Sequence, residues 1–151
     1  MKNLFEDPSR LEILNRIDNL TPESKPLWGK MDVGQMLAHN IVGMELALNN
    51  QKPARSFMGR IMGGMVKKAL LSPKPFKKNG YTPKEFKMVS PKDFNEQKTK
   101  IVNVINKFQK GAIKDKVHPF FGEMTEEEWG WLQYKHLDHH LQQFGVEFYE
   151  A

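Results

Sequence analysis

The chain has 151 residues, with 23 basic and 18 acidic side chains, a formal net charge of +5 and no cysteine. This length and a hydrophobic fraction of 39% are typical of a single globular domain, residues 1–151, and not of a disordered chain. The lack of cysteine excludes a disulfide scaffold, a cysteine nucleophile and a cysteine-ligated metal cluster.

Two helices are predicted in the first third of the chain. A capping Asp7, followed by a proline and an amphipathic pattern, predicts a first helix that begins there and ends before Thr21. Asp32 is a good N-cap for a second helix that runs to about Asn49. Because apolar residues surround nearly all of this second helix, we expect it to be largely buried, with His39 at its middle.

Residues 53–80 give the least clear pattern. Apolar residues at helical spacing favour a helix, but Gly59, Gly63 and Gly64 each weaken it by roughly 1 kcal/mol relative to alanine. We therefore predict an extra short or broken helix in this basic middle segment. An extended linker rich in proline and lysine is expected to follow it, over residues 72–83.

Two further helices are predicted in the second half. Ser90, followed by a proline, predicts the start of a helix that Gly111 closes. Thr125 and the three glutamates after it form a capping box that starts the last helix, which Gly145 ends. Apolar and polar residues do not alternate cleanly over more than a few positions, so no strand is predicted. Four long helices and one broken helix indicate an all-α four-helix bundle.

Two histidines project from the apolar face of the last helix. On a helical wheel His136 and His140 each lie within about 20° of Trp129, which marks the middle of that face. A spacing of four residues lets two imidazoles reach one ion, and His39, in the other strongly apolar helix, is the candidate third ligand. Three neutral imidazoles would leave a position open for water or substrate. The alternative is that each is an ordinary, hydrogen-bonded core or surface histidine.

Three other polar residues are candidates for a supporting role. Gln35 lies one turn before His39, and Gln143 lies one turn after His140, so we predict that both orient imidazoles or line a pocket. The alternative for both is ordinary packing of the amide. His118 precedes a proline and two phenylalanines, and it is either a fourth ligand or proton shuttle, or an anchor for its loop.

The segments WGKMDVGQMLAHN and HPFFGEMTEEEWGWLQYKHLDHHLQQFG resemble the DinB/YfiT-like superfamily of metal-binding four-helix bundles, and more closely a branch described as a domain of unknown function. The resemblance covers almost the whole chain. It implies a divalent metal bound by one histidine of the second helix and two of the last, which map onto His39, His136 and His140. Members include thiol S-transferases, a metal-dependent hydrolase and proteins of no known activity, so no single reaction and no catalytic residue is implied. Zinc or nickel is favoured by imidazole ligands, and iron or manganese stays open.

The charge is concentrated in the middle of the chain. Residues 52–87 contain ten basic residues and one acid, a net charge of +9. Such a segment attracts anions, and the alternative is a solvated segment that is charged for solubility. If the protein is a thiol transferase, Arg55 and Arg60 are the candidate contacts for the carboxylates of a small anionic thiol. A nucleic-acid-binding module is less favoured, because the aromatic residues here form no RNA- or DNA-reading motif.

Two functions therefore lead. The first is a metal-dependent enzyme that acts on a small molecule by thiol transfer or hydrolysis, and the second is a non-enzymatic metal-binding or stress-response protein with a structural or vestigial site. Methionines beside the glycines, at Met58, Met62 and Met65, offer a homodimer contact. No stretch approaches 18 apolar residues and the first residues do not resemble a signal peptide, so we expect a cytoplasmic location and no membrane partner.

Overall fold

The computed structural model describes residues 1–147, which are mostly helical. In chain order the helices are α1 (Asp7–Asp18), α2 (Val33–Leu48), α3 (Phe57–Leu70), α4 (Phe94–Ile105) and α5 (Glu126–Gln143). A 3-10 helix, Lys84–Phe86, precedes α4, and the strands β1 (Val117–His118) and β2 (Gly122–Glu123) precede α5. No helix within these 147 residues is both long enough and apolar enough to cross a membrane.

Four of the helices enclose the hydrophobic core. α2 packs on α4 and α5, and α1 packs on the same two helices. Trp129 and Phe108 are the largest side chains with no exposed surface, and aliphatic residues of all four helices surround them. α3 lies outside this group and packs against β2.

The predicted starts of α2 and α5 are confirmed, and their caps explain why. The Asp32 carboxylate accepts from the Gln35 backbone N–H while the Gln35 side chain accepts from the Asp32 N–H, which completes a capping box. At α5 the Thr125 hydroxyl accepts from the Glu128 N–H. Gly145 follows the end of α5 with a φ of 73°, a conformation that suits glycine.

The predicted limits of α4 were wrong at both ends. The Asp93 carboxylate accepts from the Glu96 N–H, so Asp93 caps the helix in place of Ser90. Both residue types cap well, and the sequence alone did not separate them. α4 is only 12 residues long, so Gly111, with a φ of 83°, belongs to a later turn and does not close the helix.

The prediction of a short or broken middle helix was also wrong, because α3 is continuous over 14 residues. The Ser56 hydroxyl caps it by accepting from the Gly59 N–H. A Cβ added to Gly59 or Gly63 would clash with the carbonyl oxygen of Phe120. The two glycines therefore let the helix approach this loop closely, and that contact offsets their low helix propensity.

The loop carrying Phe120 joins two short strands that the sequence did not predict. Val117 pairs with Glu123 and His118 pairs with Gly122 in antiparallel register. Strands of two residues are too short to show an alternating pattern in sequence.

Candidate metal centre

Three histidines from two helices converge on one point. The Nε2 atom of His136 lies 3.0 Å from Nε2 of His39 and 3.2 Å from Nε2 of His140. One ring nitrogen of each lies within 4.8 Å of the other two. α2 supplies His39, and α5 supplies the other two from successive turns. The prediction that these imidazoles converge is confirmed.

Hydrogen bonds on the far side of two rings fix which nitrogen faces the cluster. Nδ1 of His39 lies 2.8 Å from the carbonyl oxygen of Phe86, and Nδ1 of His140 lies 2.7 Å from the side-chain oxygen of Gln143. The orientation of that amide is set by its own NH₂ group, which donates to the carbonyl of Trp28 at 2.8 Å. Both oxygens can only accept, so each Nδ1 carries the hydrogen and each Nε2 presents a lone pair.

Two of the three separations between the inner nitrogens suit a divalent ion. Zinc–nitrogen bonds of about 2.0–2.1 Å place neighbouring ligand atoms about 3.3 Å apart in a tetrahedron and about 2.9 Å apart in an octahedron. The two separations at His136, 3.0 and 3.2 Å, lie between these values. Hydrogen bonds alone do not satisfy the three inner nitrogens. The Nε2 atoms of His39 and His140 carry no hydrogen, so only Nε2 of His136 can donate, and it can donate to one of them. The donor set therefore fits a metal better than it fits an ordinary core network.

The electrostatics favour the neutral, ligating form of each ring. Burial is the main cause that lowers the pKa of His140 to about 3; His39 and His139 act in the same direction, and the hydrogen bond that His140 donates to Gln143 opposes them. Burial, with neighbouring histidines, holds the pKa of His136 well below its usual range. Burial also lowers the pKa of His39, and the hydrogen bond to Phe86 opposes this. All three imidazoles are neutral at pH 7, the form that binds metal.

Aromatic rings form a wall beside the cluster. The Phe76 ring centroid lies 6.4 Å from that of His136 and 5.7 Å from that of His139. His139 in turn lies 5.0 Å from His140 and 5.7 Å from Trp28. The sequence pattern singled out neither Phe76 nor His139, and Phe76 lies in a linker that has no periodicity.

The ammonium groups of two lysines lie over these aromatic rings. The Nζ atom of Lys78 lies 4.4 Å from the Trp28 ring centroid, and that of Lys135 lies 4.3 Å from the centroid of Phe76. Burial lowers the pKa of His139 and both lysines lower it further, while Asp138 opposes them. The edge of the site at His139 is therefore cationic.

The comparison with protein families covers nearly the whole chain. The family model described as "Protein of unknown function (DUF1569)" matches residues 5–147. The chain belongs to the DUF1569 family. No curated protein matches it, and no solved structure matches it. The family carries no stated activity, and the match includes His39, His136 and His140.

The two predicted glutamines of this DUF1569 protein have different positions. Gln143 contacts His140 directly, as expected for a residue that orients an imidazole. Gln35 instead completes the cap of α2, and its NH₂ group donates to the carbonyl of Ser90 at 3.1 Å. Gln35 therefore fastens the end of the connection between α3 and α4 to the start of α2.

His118 takes the role of a loop anchor. Its Nδ1 accepts from the backbone N–H groups of Phe120 and Phe121 at 3.0 and 3.1 Å, and its ring stacks on Phe121 with centroids 4.1 Å apart. Burial, with smaller contributions from Lys52 and Arg55, lowers the pKa of His118 to about 4. These contacts hold the tip of the β hairpin. They also occupy the lone pair of Nδ1, which His118 would need in order to act as a fourth metal ligand.

The arginines predicted to meet an anion are placed elsewhere in this DUF1569 protein. The Arg55 guanidinium donates to the carbonyls of Gly59 and Phe120 at 2.7 and 3.2 Å, so it joins α3 to the hairpin loop. Arg60 is exposed on α3. Lys78 and Lys135, which the sequence did not single out, lie over the aromatic rings beside the histidine cluster.

Proposed function

We propose that this DUF1569 protein binds a divalent metal ion through His39, His136 and His140. The observation that carries the proposal is the fixed orientation of two rings, because Phe86 and Gln143 accept from the outer nitrogens and direct the inner lone pairs to one point. Zinc or nickel is favoured over iron or manganese by a set of imidazole ligands.

The wider relationship is part of the same proposal. Four helices enclose one core, and two of them supply the histidines in the order that the DinB/YfiT-like resemblance implies. This supports a four-helix bundle of the DinB type, with α3 as an addition to it.

The proposed role of the ion is catalytic, on a small molecule. Three protein ligands are typical of catalytic sites, whereas structural sites are closed by a fourth. A bound ion supplies Lewis acidity, which lowers the pKa of a water molecule or a thiol and so serves hydrolysis or thiol transfer. Gln143 and the Phe86 carbonyl hold the imidazoles in place, and Phe76 shields one side from water.

The cationic edge favours an anionic substrate. Lys78 lies over the Trp28 ring beside the cluster, where it would attract a carboxylate of a low-molecular-weight thiol. Lys135 donates to the carbonyls of Leu70 and Ser72, so it adds positive potential over Phe76 without being a free contact. Lys78 takes the place that Arg55 and Arg60 held in the sequence-based prediction.

Elemental analysis of protein purified without a histidine tag tests the metal. We expect about one ion per chain, and an affinity for zinc at least a hundredfold lower in the variants His39→Ala and His136→Ala. His139→Gln is the matched control, because it removes an imidazole of α5 that is outside the triad, and it is expected to keep the metal. Protein that arrives without metal and binds neither added zinc nor nickel contradicts the proposal.

A non-enzymatic protein with a structural ion is the second candidate. The pairing of Nε2 atoms at 3.0 Å is also what a closed structural site would need. Cobalt-substituted protein separates the two, because an open coordination position changes its visible spectrum when a small thiol or azide is added. An unchanged spectrum favours the structural role.

A further inference from the structure

The apolar stripe of α3 faces solvent. Phe57 is 75% exposed, Met58 52%, Ile61 65% and Met65 67%. The opposite side of the helix carries the glycines that pack against Phe120. A helix that belonged only to the core would present these residues inwards, so the exposed stripe is unpartnered within residues 1–147.

The surroundings of the stripe are strongly basic. Arg60 and Lys68 are exposed on the same helix. Residues 52–84 contain nine basic side chains and no acid. An apolar stripe with flanking cations is typical of a helix that lies in the interface of a membrane, with its axis parallel to the surface. The 14 residues of α3 span about 21 Å, which suits that position and is too short to cross a bilayer.

We infer that α3 docks this protein on an anionic lipid surface. Phe57, Ile61 and Met65 enter the boundary between headgroups and acyl chains, while Arg60 and Lys68 meet the lipid phosphates. Charge complementarity selects this occupant. A second copy of the chain, the partner expected from the methionines, would bring two segments of +9 together. Interfacial binding by α3 departs from the expectation of no membrane partner, which was drawn from the lack of a spanning segment.

Vesicle sedimentation of the full chain tests the inference. The probes are vesicles of phosphatidylcholine with phosphatidylglycerol, and vesicles of phosphatidylcholine alone. We expect binding to the anionic vesicles only, weakened by salt. The double variant Phe57→Ser/Ile61→Ser keeps the net charge, so a loss of binding of about tenfold or more reports apolar insertion. The control Leu11→Ser/Leu27→Ser removes two side chains that are 59% and 69% exposed elsewhere, and it is expected to bind as the parent does.

A site-specific probe checks the same point without removing the stripe. The chain has no cysteine, so Ile61→Cys takes a single polarity-sensitive fluorophore. We expect a blue shift of its emission on anionic vesicles, and no shift for the same label at Leu11→Cys. Equal binding by the α3 variant and its control, or no shift at position 61, overturns the inference. A dimer in solution that Phe57→Ser/Ile61→Ser abolishes also overturns it, and assigns the stripe to a second copy.

Discussion

Replacing Gln143 by leucine tests whether the orientation of His140 matters for metal binding while His140 itself stays in place. The side chain is 4% exposed and makes two hydrogen bonds, accepting from His140 at 2.7 Å and donating to the Trp28 carbonyl at 2.8 Å. Leucine has a similar size but makes neither bond. The three proposed ligands all remain in Gln143→Leu, and only the restraint on one of them is lost.

The expected magnitudes follow from these two bonds. Loss of a partner that orients a ligating histidine lowers metal affinity about 10–100-fold, or about 1.4–2.7 kcal/mol. The metal-free protein loses stability as well, because the buried N–H of His140 remains unpaired at a cost of about 1–3 kcal/mol, and the partly buried Trp28 carbonyl also loses its donor. Gln143→Glu keeps an acceptor for His140, loses the donor to Trp28 and adds a carboxylate that makes the imidazole a stronger ligand, so we expect an affinity at least equal to that of the parent and a destabilised metal-free form.

Competition with a chromophoric zinc chelator measures the affinity, and urea denaturation of the metal-free protein measures the stability. Gln142→Leu is the matched control, because this neighbouring glutamine is exposed and bonds to Asp138. Gln143→Leu protein that is folded and binds zinc as tightly as the parent would refute the role of Gln143 in orienting His140.

Three further outcomes follow from other features. Gly63→Ala is expected to destabilise the fold by about 1–3 kcal/mol, because its Cβ clashes with the Phe120 carbonyl, whereas Gly64→Ala, where a Cβ meets nothing, is expected to stabilise it by up to about 1 kcal/mol in thermal melts. The pKa of His118 is lowered to about 4 in the folded protein, so as the pH falls His118 takes up a proton in the unfolded chain before it does so in the folded one. The stability that neutral His118 contributes is complete above pH 6.5 and is lost towards pH 4, by about 1–2 kcal/mol at pH 5, and urea titrations of His118→Asn should lack this loss. Added zinc is expected to raise the melting temperature of the parent but not of His136→Ala, and an equal rise in both would contradict the assigned ligands.

Helix caps and helical periodicity, which are local features of the sequence, were enough to predict part of the fold and the convergence of the histidines. Asp32 and Thr125 act on the first turn of their own helices, so their effect can be predicted from neighbouring residues. The inward positions of His136 and His140 follow from helical periodicity, which is also a property of the sequence alone.

Contacts between distant segments could not be predicted in this way. α3 is continuous because the backbone of Phe120, more than fifty residues away, fits its glycines. Nothing in the sequence indicates that Phe86 lies over His39, since a backbone carbonyl is present at every residue. Phe76 reaches the site through a linker with no periodicity, and its position depends on the tertiary path of the chain.

The hydrogen bond between His39 and Phe86 has a thermodynamic consequence. The acceptor is a main-chain oxygen in a 3-10 helix, 47 residues from the imidazole that it restrains. A substitution of the Phe86 side chain leaves this oxygen in place, whereas a change in the course of the connection removes it. Ordering of the connection and occupation of the triad are therefore linked reciprocally, and each favours the other by the same free energy. An ion at the histidines would protect residues 72–90 from proteolysis, although it touches none of their side chains.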